Sequence, residues 1–123
     1  MNSKINSFQD LVVWQKSHQL ALDVYQATKK FPKDEKTGLS PQIRTAISQV
    51  PAYIAEGFKR RAPKEKSRLY NNGQSSLEQA RYYLILCRDL GYLKDYDALW
   101  NLSEEVARML SRLAQSARSQ NRR

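Results

Sequence analysis

Two short segments of this chain concentrate its basic side chains. Residues 59–68 hold Lys59, Arg60, Arg61, Lys64, Lys66 and Arg68 against a single acid, Glu65, for a local balance of +5. Residues 108–123 hold Arg108, Arg112, Arg118, Arg122 and Arg123 and no acid, for another +5. The whole chain carries +9, so everything else sums to −1. Guanidinium and ammonium groups gathered in this way contact phosphates, which gives affinity for a polyanion without reading its bases. These eleven residues are therefore the expected binding surface for RNA or DNA. Two plainer readings stand beside it: the charge only keeps the chain soluble, and Arg108 and Arg112 simply form a solvated helix face.

Nothing comparable points to catalysis. His18 is the only histidine, and it falls on the apolar side of a helical pattern, where a core or interface imidazole is expected. No HExxH or ExxH spacing accompanies it, so no metal site is expected. Glu56 precedes Arg60 by four residues, the favourable order for a helical ion pair, and has no second titratable partner for proton transfer. Cys87 is the single cysteine, which leaves no internal disulfide and no cysteine-based zinc site. It lies on an apolar stripe, as an inert buried thiol would. There is no P-loop and no GxGxxG. The chain therefore reads as a non-enzyme without cofactor or metal. MNSKINSFQD lacks the apolar stretch of a secretory signal, and no run of 18 apolar residues is present to span a membrane. A cytoplasmic, reducing location fits.

The elements that must hold these groups are helices. At 123 residues, one domain covering 1–123 is expected. Glycine and proline are few, four of each, which favours long uninterrupted elements. Ser7 and Asp10 form a capping-box pair ahead of helix 1, placed at 8–31. Leu11, Trp14, His18, Leu22 and Tyr25 make one apolar row on it, and Val13, Leu20, Val24, Ala27 and Phe31 make a second. Two rows give a face wider than a two-helix seam needs. Pro32 stops the helix. Ser40-Pro41 reads as N-cap and first position of helix 2 at 40–60, with Ile43, Ile47, Val50, Ile54 and Phe58 on one stripe and a kink at Pro51. Helix 3 is placed at 63–90, starting at Pro63 and ending at Gly91, with small residues Gly73, Ser76 and Ala80 allowing close approach. Helix 4, capped by Asp95, is placed at 95–117 with a polar tail at 118–123. The fold class is all-α: an antiparallel up-down-up-down four-helix bundle. The helix 2–3 connector and the end of helix 4 are expected at opposite ends of it, giving two separate basic rims.

Tyrosine, tryptophan and phenylalanine make up 10% of the chain, more than one bundle's inner rows accommodate. Tyr82 and Tyr83 point about 100° apart on a helix, so at least one lies off the core row. Tyr53, Tyr82, Tyr83, Tyr92 and Trp100 are the expected oligomer interface, since such side chains concentrate at protein interfaces. They also suit stacking on single-stranded bases.

Three stretches, FQDLVVWQKSHQLALDVYQATKKFP, LSPQIRTAISQVPAYIAEGFKRR and LILCRDLGYL, together resemble one known family. It comprises the four-helix bundle proteins encoded within intervening sequences of bacterial 23S rRNA genes, and is related to the accessory proteins of diversity-generating retroelements. The resemblance runs from Phe8 to about Leu113. It is most specific at Pro51-Ala52-x-Ile54-Ala55-Glu56-Gly57, with Trp14 and Leu90-Gly91-Tyr92 in support. It implies a four-helix bundle, a ring-like homopentamer and a non-enzymatic role. For the retroelement relatives it implies binding to nucleic acid and to a reverse transcriptase. Tyr53 stands where that family usually has Asn, and Gln79 and Arg81 stand where it often has acids. These departures make the chain more basic, as a retroelement accessory protein would be.

Overall fold

The structure, a computed structural model, describes residues 4–121; Arg122 and Arg123 lie outside the described residues. Among these residues there are four α-helices and no strand: α1 (Val12–Thr28), α2 (Leu39–Lys59), α3 (Pro63–Asp89) and α4 (Tyr96–Asn121). The all-α, four-helix expectation holds, and the elements fall close to their expected places. The differences are at the ends, where backbone hydrogen bonds decide.

Ser7 and Asp10 do form the capping box: Ser7 Oγ accepts from the Gln9 N–H at 3.1 Å, and the Asp10 carboxylate accepts from the Ser7 N–H at 3.1 Å. The box closes a short 3-10 turn, Phe8–Asp10, while Leu11 is extended, so α1 begins only at Val12. At its other end α1 stops at Thr28 and not at Phe31. Lys30 and Phe31 bond to carbonyls three residues back, at Ala27 and Thr28, and tighten the chain before Pro32. Helix α2 begins at Leu39 with Gly38 as N-cap, so Ser40 is not the cap. Glu35 takes that role from outside the helix, its Oε1 accepting the Leu39 N–H at 2.9 Å. Pro41 sits in the first turn, where an N–H has no helical partner anyway. The helix runs as one element through Pro51, with Val50 and Ile54 both fully buried.

Gly91 ends α3 as expected. Its φ of +79° is left-handed. The Tyr92 N–H reaches the Cys87 carbonyl at 2.9 Å and the Gly91 N–H reaches the Arg88 carbonyl at 3.0 Å. That pair of bonds satisfies two of the last carbonyls of the helix. Helix α4 continues to Asn121, beyond the expected 117, so Arg118 is held on a helix and not in a loose tail.

One core is built from all four helices. Leu20 and Val24 come from α1, Ile43, Ile47, Val50 and Ile54 from α2, Tyr70, Leu77 and Leu84 from α3, and Val106 and Leu110 from α4. The pairing contacts between neighbours run in opposite senses along the chain. Gln49 meets Ser76 and Gln42 meets Tyr83 across α2 and α3. Arg81 meets Trp100 and Arg88 meets Tyr96 across α3 and α4. A Cβ on Gly73 would lie 3.4 Å from Tyr53 Cβ and 3.5 Å from a Leu110 methyl, so α2, α3 and α4 do converge on this small residue.

The two apolar rows of α1 separate in the structure. Val13, Leu20, Val24 and Phe31 are buried. The other row lies at the edge of the core: Leu11 and Trp14 pack against it half-buried, while Leu22 is 46% and Tyr25 39% exposed and His18 is exposed beside Trp14.

Candidate nucleic-acid interface

The candidate surface begins where α2 gives way to α3. Gly57, near the end of α2, lies against the Tyr70 ring so closely that a Cβ there would come within 2.6 Å of Tyr70 Cε1. Glycine at this position lets α3 approach. The approach in turn brings Lys66 onto the end of α2, where its Nζ donates to the Gly57 carbonyl at 2.9 Å and to the Phe58 carbonyl at 3.1 Å. The same ammonium lies 5.6 Å from the ring centroids of both Phe58 and Tyr70. Burial lowers the Lys66 pKa and pushes the Tyr70 phenol up to about 12. Lys66 thus caps a helix C-terminus, satisfying carbonyls that would otherwise lack partners. Two of its three N–H donors are taken up by these carbonyls, so a structural role stands beside the phosphate contact expected of it.

The other basic residues of this segment face solvent: Lys59, Arg60, Arg61, Lys64 and Arg68 are all exposed. Arg60 pairs with Glu56 at 3.5 Å, the i,i+4 ion pair read from the spacing. Arg68 bonds to Glu65 through Nε at 3.2 Å and through a guanidinium nitrogen, which lowers the Glu65 pKa and raises that of Arg68. Among the described residues, Lys59, Arg61 and Lys64 have no carboxylate within ion-pair distance. Surface pairs such as Arg60–Glu56 are weak, about 0–1 kcal/mol, and yield readily to a phosphate.

The expectation that the two basic segments lie at opposite ends is wrong. Gly73 touches Leu110, and from that level α3 runs back to Lys64 while α4 runs on to Arg118. The distances, nine and eight residues, are about 14 Å and about 12 Å at 1.5 Å per residue. Since the two helices run in opposite directions with nearly equal lengths, 27 and 26 residues, the start of one and the end of the other meet. The exposed Arg118 therefore joins Lys59, Arg61 and Lys64 at a single end. Arg108 and Arg112 are exposed on the flank of α4, about level with Ser75 and Asn71, so they extend that surface sideways and do not sit at its tip.

Of the aromatic residues expected at an oligomer interface, four are engaged within the chain. Tyr92 packs on Phe31 at 5.1 Å and donates to Glu35 Oε2 at 2.8 Å. Trp100 stacks on Tyr96 at 5.7 Å, with the Arg81 guanidinium 4.3 Å from its ring centre. Tyr83 donates to Gln42 Oε1 at 3.0 Å. Tyr53 is half-buried at the Gly73 crossing. Tyr82 is the most exposed of the five at 57%, with its ring 5.8 Å from that of Tyr83. A different apolar surface was missed: an open cleft of about 450 Å³ between α1 and α2, lined by Trp14, His18, Leu22 and Tyr25 with Ala52 and Ala55 opposite. Its signal was in the sequence, as the second apolar row of helix 1.

Cys87 is buried, and burial, with the Glu35 charge, pushes its thiol up to about 12. Among the described residues no group of three or more His, Cys, Asp or Glu side chains gathers where a metal could sit. Among the described residues no helix is long and apolar enough to cross a membrane.

Residues 9–112 match the 23S rRNA-intervening sequence protein family. A crystal structure at 1.70 Å of a protein of unknown function from the S23 ribosomal protein family of Bacteroides thetaiotaomicron superposes with a TM-score of 0.77. That match has 21% sequence identity and covers 85% of this chain and 96% of the other, so it speaks for the fold. No curated protein matches the chain.

Proposed function

The chain belongs to the 23S rRNA-intervening sequence protein family, and from this premise we propose that it is a non-enzymatic, basic helical bundle that binds RNA or DNA through phosphate contacts. The observation that carries the reading is the meeting of Lys59, Arg61, Lys64 and Arg118 at one end of the bundle, exposed and without carboxylate partners among the described residues. Helices hold Lys59, Lys64 and Arg118, Arg61 stands in the short connector between α2 and α3, and Lys66 ties α3 to the end of α2 beside it. Such a surface lowers the ordering cost of binding and tracks a backbone, not a base sequence. The protein acts in the cytoplasm as a homo-oligomer, a pentamer on the family resemblance, so each assembly presents the basic end several times. Its partner is a reverse transcriptase of a diversity-generating retroelement. A reverse-transcriptase gene and a variable repeat beside its own gene would support that assignment, and a surrounding rRNA gene would oppose it.

The test is binding to a structured RNA and to a single-stranded DNA at rising salt. Affinity should fall linearly on a log–log plot. No binding at low salt, or binding indifferent to salt, defeats the proposal.

A second reading, a protein-interaction scaffold without a nucleic-acid role, is favoured by the uncovered apolar cleft of α1 and α2. Light scattering separates the cases. A monomer counts against both the scaffold and the pentamer, while an oligomer that Leu22→Asp dissolves supports assembly through α1.

A further inference from the structure

At the end of the bundle opposite the 59–68 segment, a cleft of about 560 Å³ opens between the end of α1, the connector to α2 and the first turns of α2. Lys29, Lys33, Lys36 and Arg44 line it, and no carboxylate does. The nearby Glu35 is turned away, bonded to the Leu39 N–H at 2.9 Å and to the Tyr92 hydroxyl at 2.8 Å. Arg44 is held in place: its Nε donates to Thr28 Oγ1 at 2.7 Å, its Nη2 donates to the Tyr25 carbonyl at 3.2 Å, and its guanidinium lies 4.6 Å from the Tyr25 ring centre. Its Nη1 makes no hydrogen bond to the protein among the described residues. Ser40 and Thr45 line the same cleft, beside the N-terminal end of α2, whose dipole favours anions.

We propose that this cleft binds a di- or triphosphate group, with Arg44 as the fixed anchor and Lys29, Lys33 and Lys36 closing around it. A single phosphate monoester carries about −1.5 to −2 at neutral pH, so four cations outmatch one phosphate and suit two or three in a row. The volume is within the roughly 300–1,000 Å³ of small-molecule sites. Helix α2 separates this cleft from the other basic end by its 21 residues, about 30 Å, so the site is independent of the proposed nucleic-acid surface. The same chemistry is offered by two sources, a free nucleoside triphosphate and the 5′-triphosphate end of an RNA.

Isothermal titration of the full chain with pyrophosphate and with ATP tests the site. Binding to both is expected, about tenfold weaker in Lys33→Ser/Lys36→Ser, whose side chains are exposed and whose loss of two rim charges leaves the fold intact. Arg44→Met should weaken binding further. Lys59→Ser/Arg60→Ser/Arg61→Ser should leave it unchanged while losing nucleic-acid binding, which separates failure of this site from failure of the other surface. Competition by a short 5′-triphosphorylated RNA, with none from its 5′-hydroxyl counterpart, identifies an RNA end as the source. Binding of ATP without competition from either RNA identifies the free nucleotide. No binding of pyrophosphate or ATP, equal binding by Lys33→Ser/Lys36→Ser, or equal competition by the 5′-hydroxyl RNA overturns the proposal.

Discussion

Gly57→Ala sets two effects of opposite sign against each other. Within a helix, alanine is favoured over glycine by about 0.8–1 kcal/mol, and Gly57 lies two residues from the end of α2, where less of that gain is realised. Against it stands the Tyr70 ring, whose Cε1 and Cδ1 would lie 2.6 Å and 2.8 Å from the new methyl carbon. Both contacts are far inside van der Waals separation. Tyr70 is only 2% exposed, so it cannot swing into solvent without leaving a void. Overpacking of this kind costs about 1–3 kcal/mol. The strain therefore wins, with a net loss of about 1–2 kcal/mol, or roughly 3–8 °C in Tm for a chain of this size. Urea unfolding followed by circular dichroism measures it. Tyr70→Leu removes the ring, and the double variant should show positive coupling, Gly57→Ala costing less in that background. A Gly57→Ala protein as stable as the parent, or more so, would refute the argument that ring contact, and not helix propensity, dictates glycine here.

Other outcomes follow from the same structure. Lys66→Met keeps the aliphatic stem over Phe58 and Tyr70 but loses both carbonyl bonds, and should cost about 1–2 kcal/mol in urea unfolding; an unchanged stability would return Lys66 to the solvent-facing charges. Cys87, buried with its thiol pushed up to about 12, should resist iodoacetamide at neutral pH in the native state and react on unfolding, and mass spectrometry reading rapid native labelling would contradict its placement. Glu35 accepts bonds from the Leu39 N–H and the Tyr92 hydroxyl, which lower its pKa. Its contribution is thus present above the ordinary Glu range near 4.3 and is lost as pH falls through the lower folded value. Glu35→Gln should flatten the acid limb of a stability–pH curve, and an unaltered limb would count against these two bonds.

Much of the fold was legible because it depends on local chemistry. Pro63 and Gly91 bound α3 where their backbone preferences put them, and the Ile43–Ile54 stripe is the buried face of α2. The misreadings share a cause: they required knowing what lies across the bundle. Ser40-Pro41 has the composition of a helix start, but Glu35 reaches in to cap Leu39 and shifts the cap to Gly38. Both rows of α1 are apolar, and only the neighbouring helices select which is buried. Lys66 sits in a run of exposed cations, and nothing local shows that it turns back onto α2. The cleft around Arg44 takes residues from two helices and a connector, so no single motif announces it. The relative position of the two basic segments follows from helix direction alone, and counting the turns correctly places both at one end.

The most direct measurement is the salt dependence of binding to one single-stranded DNA probe by three proteins: the parent, Lys59→Ser/Arg60→Ser/Arg61→Ser, and Arg112→Ser/Arg118→Ser. If the segments form one surface, both variants bind the same probe with a shallower slope, reduced by about 0.7 for each phosphate contact removed. A slope that changes in only one of them, or in neither, would contradict a shared basic end.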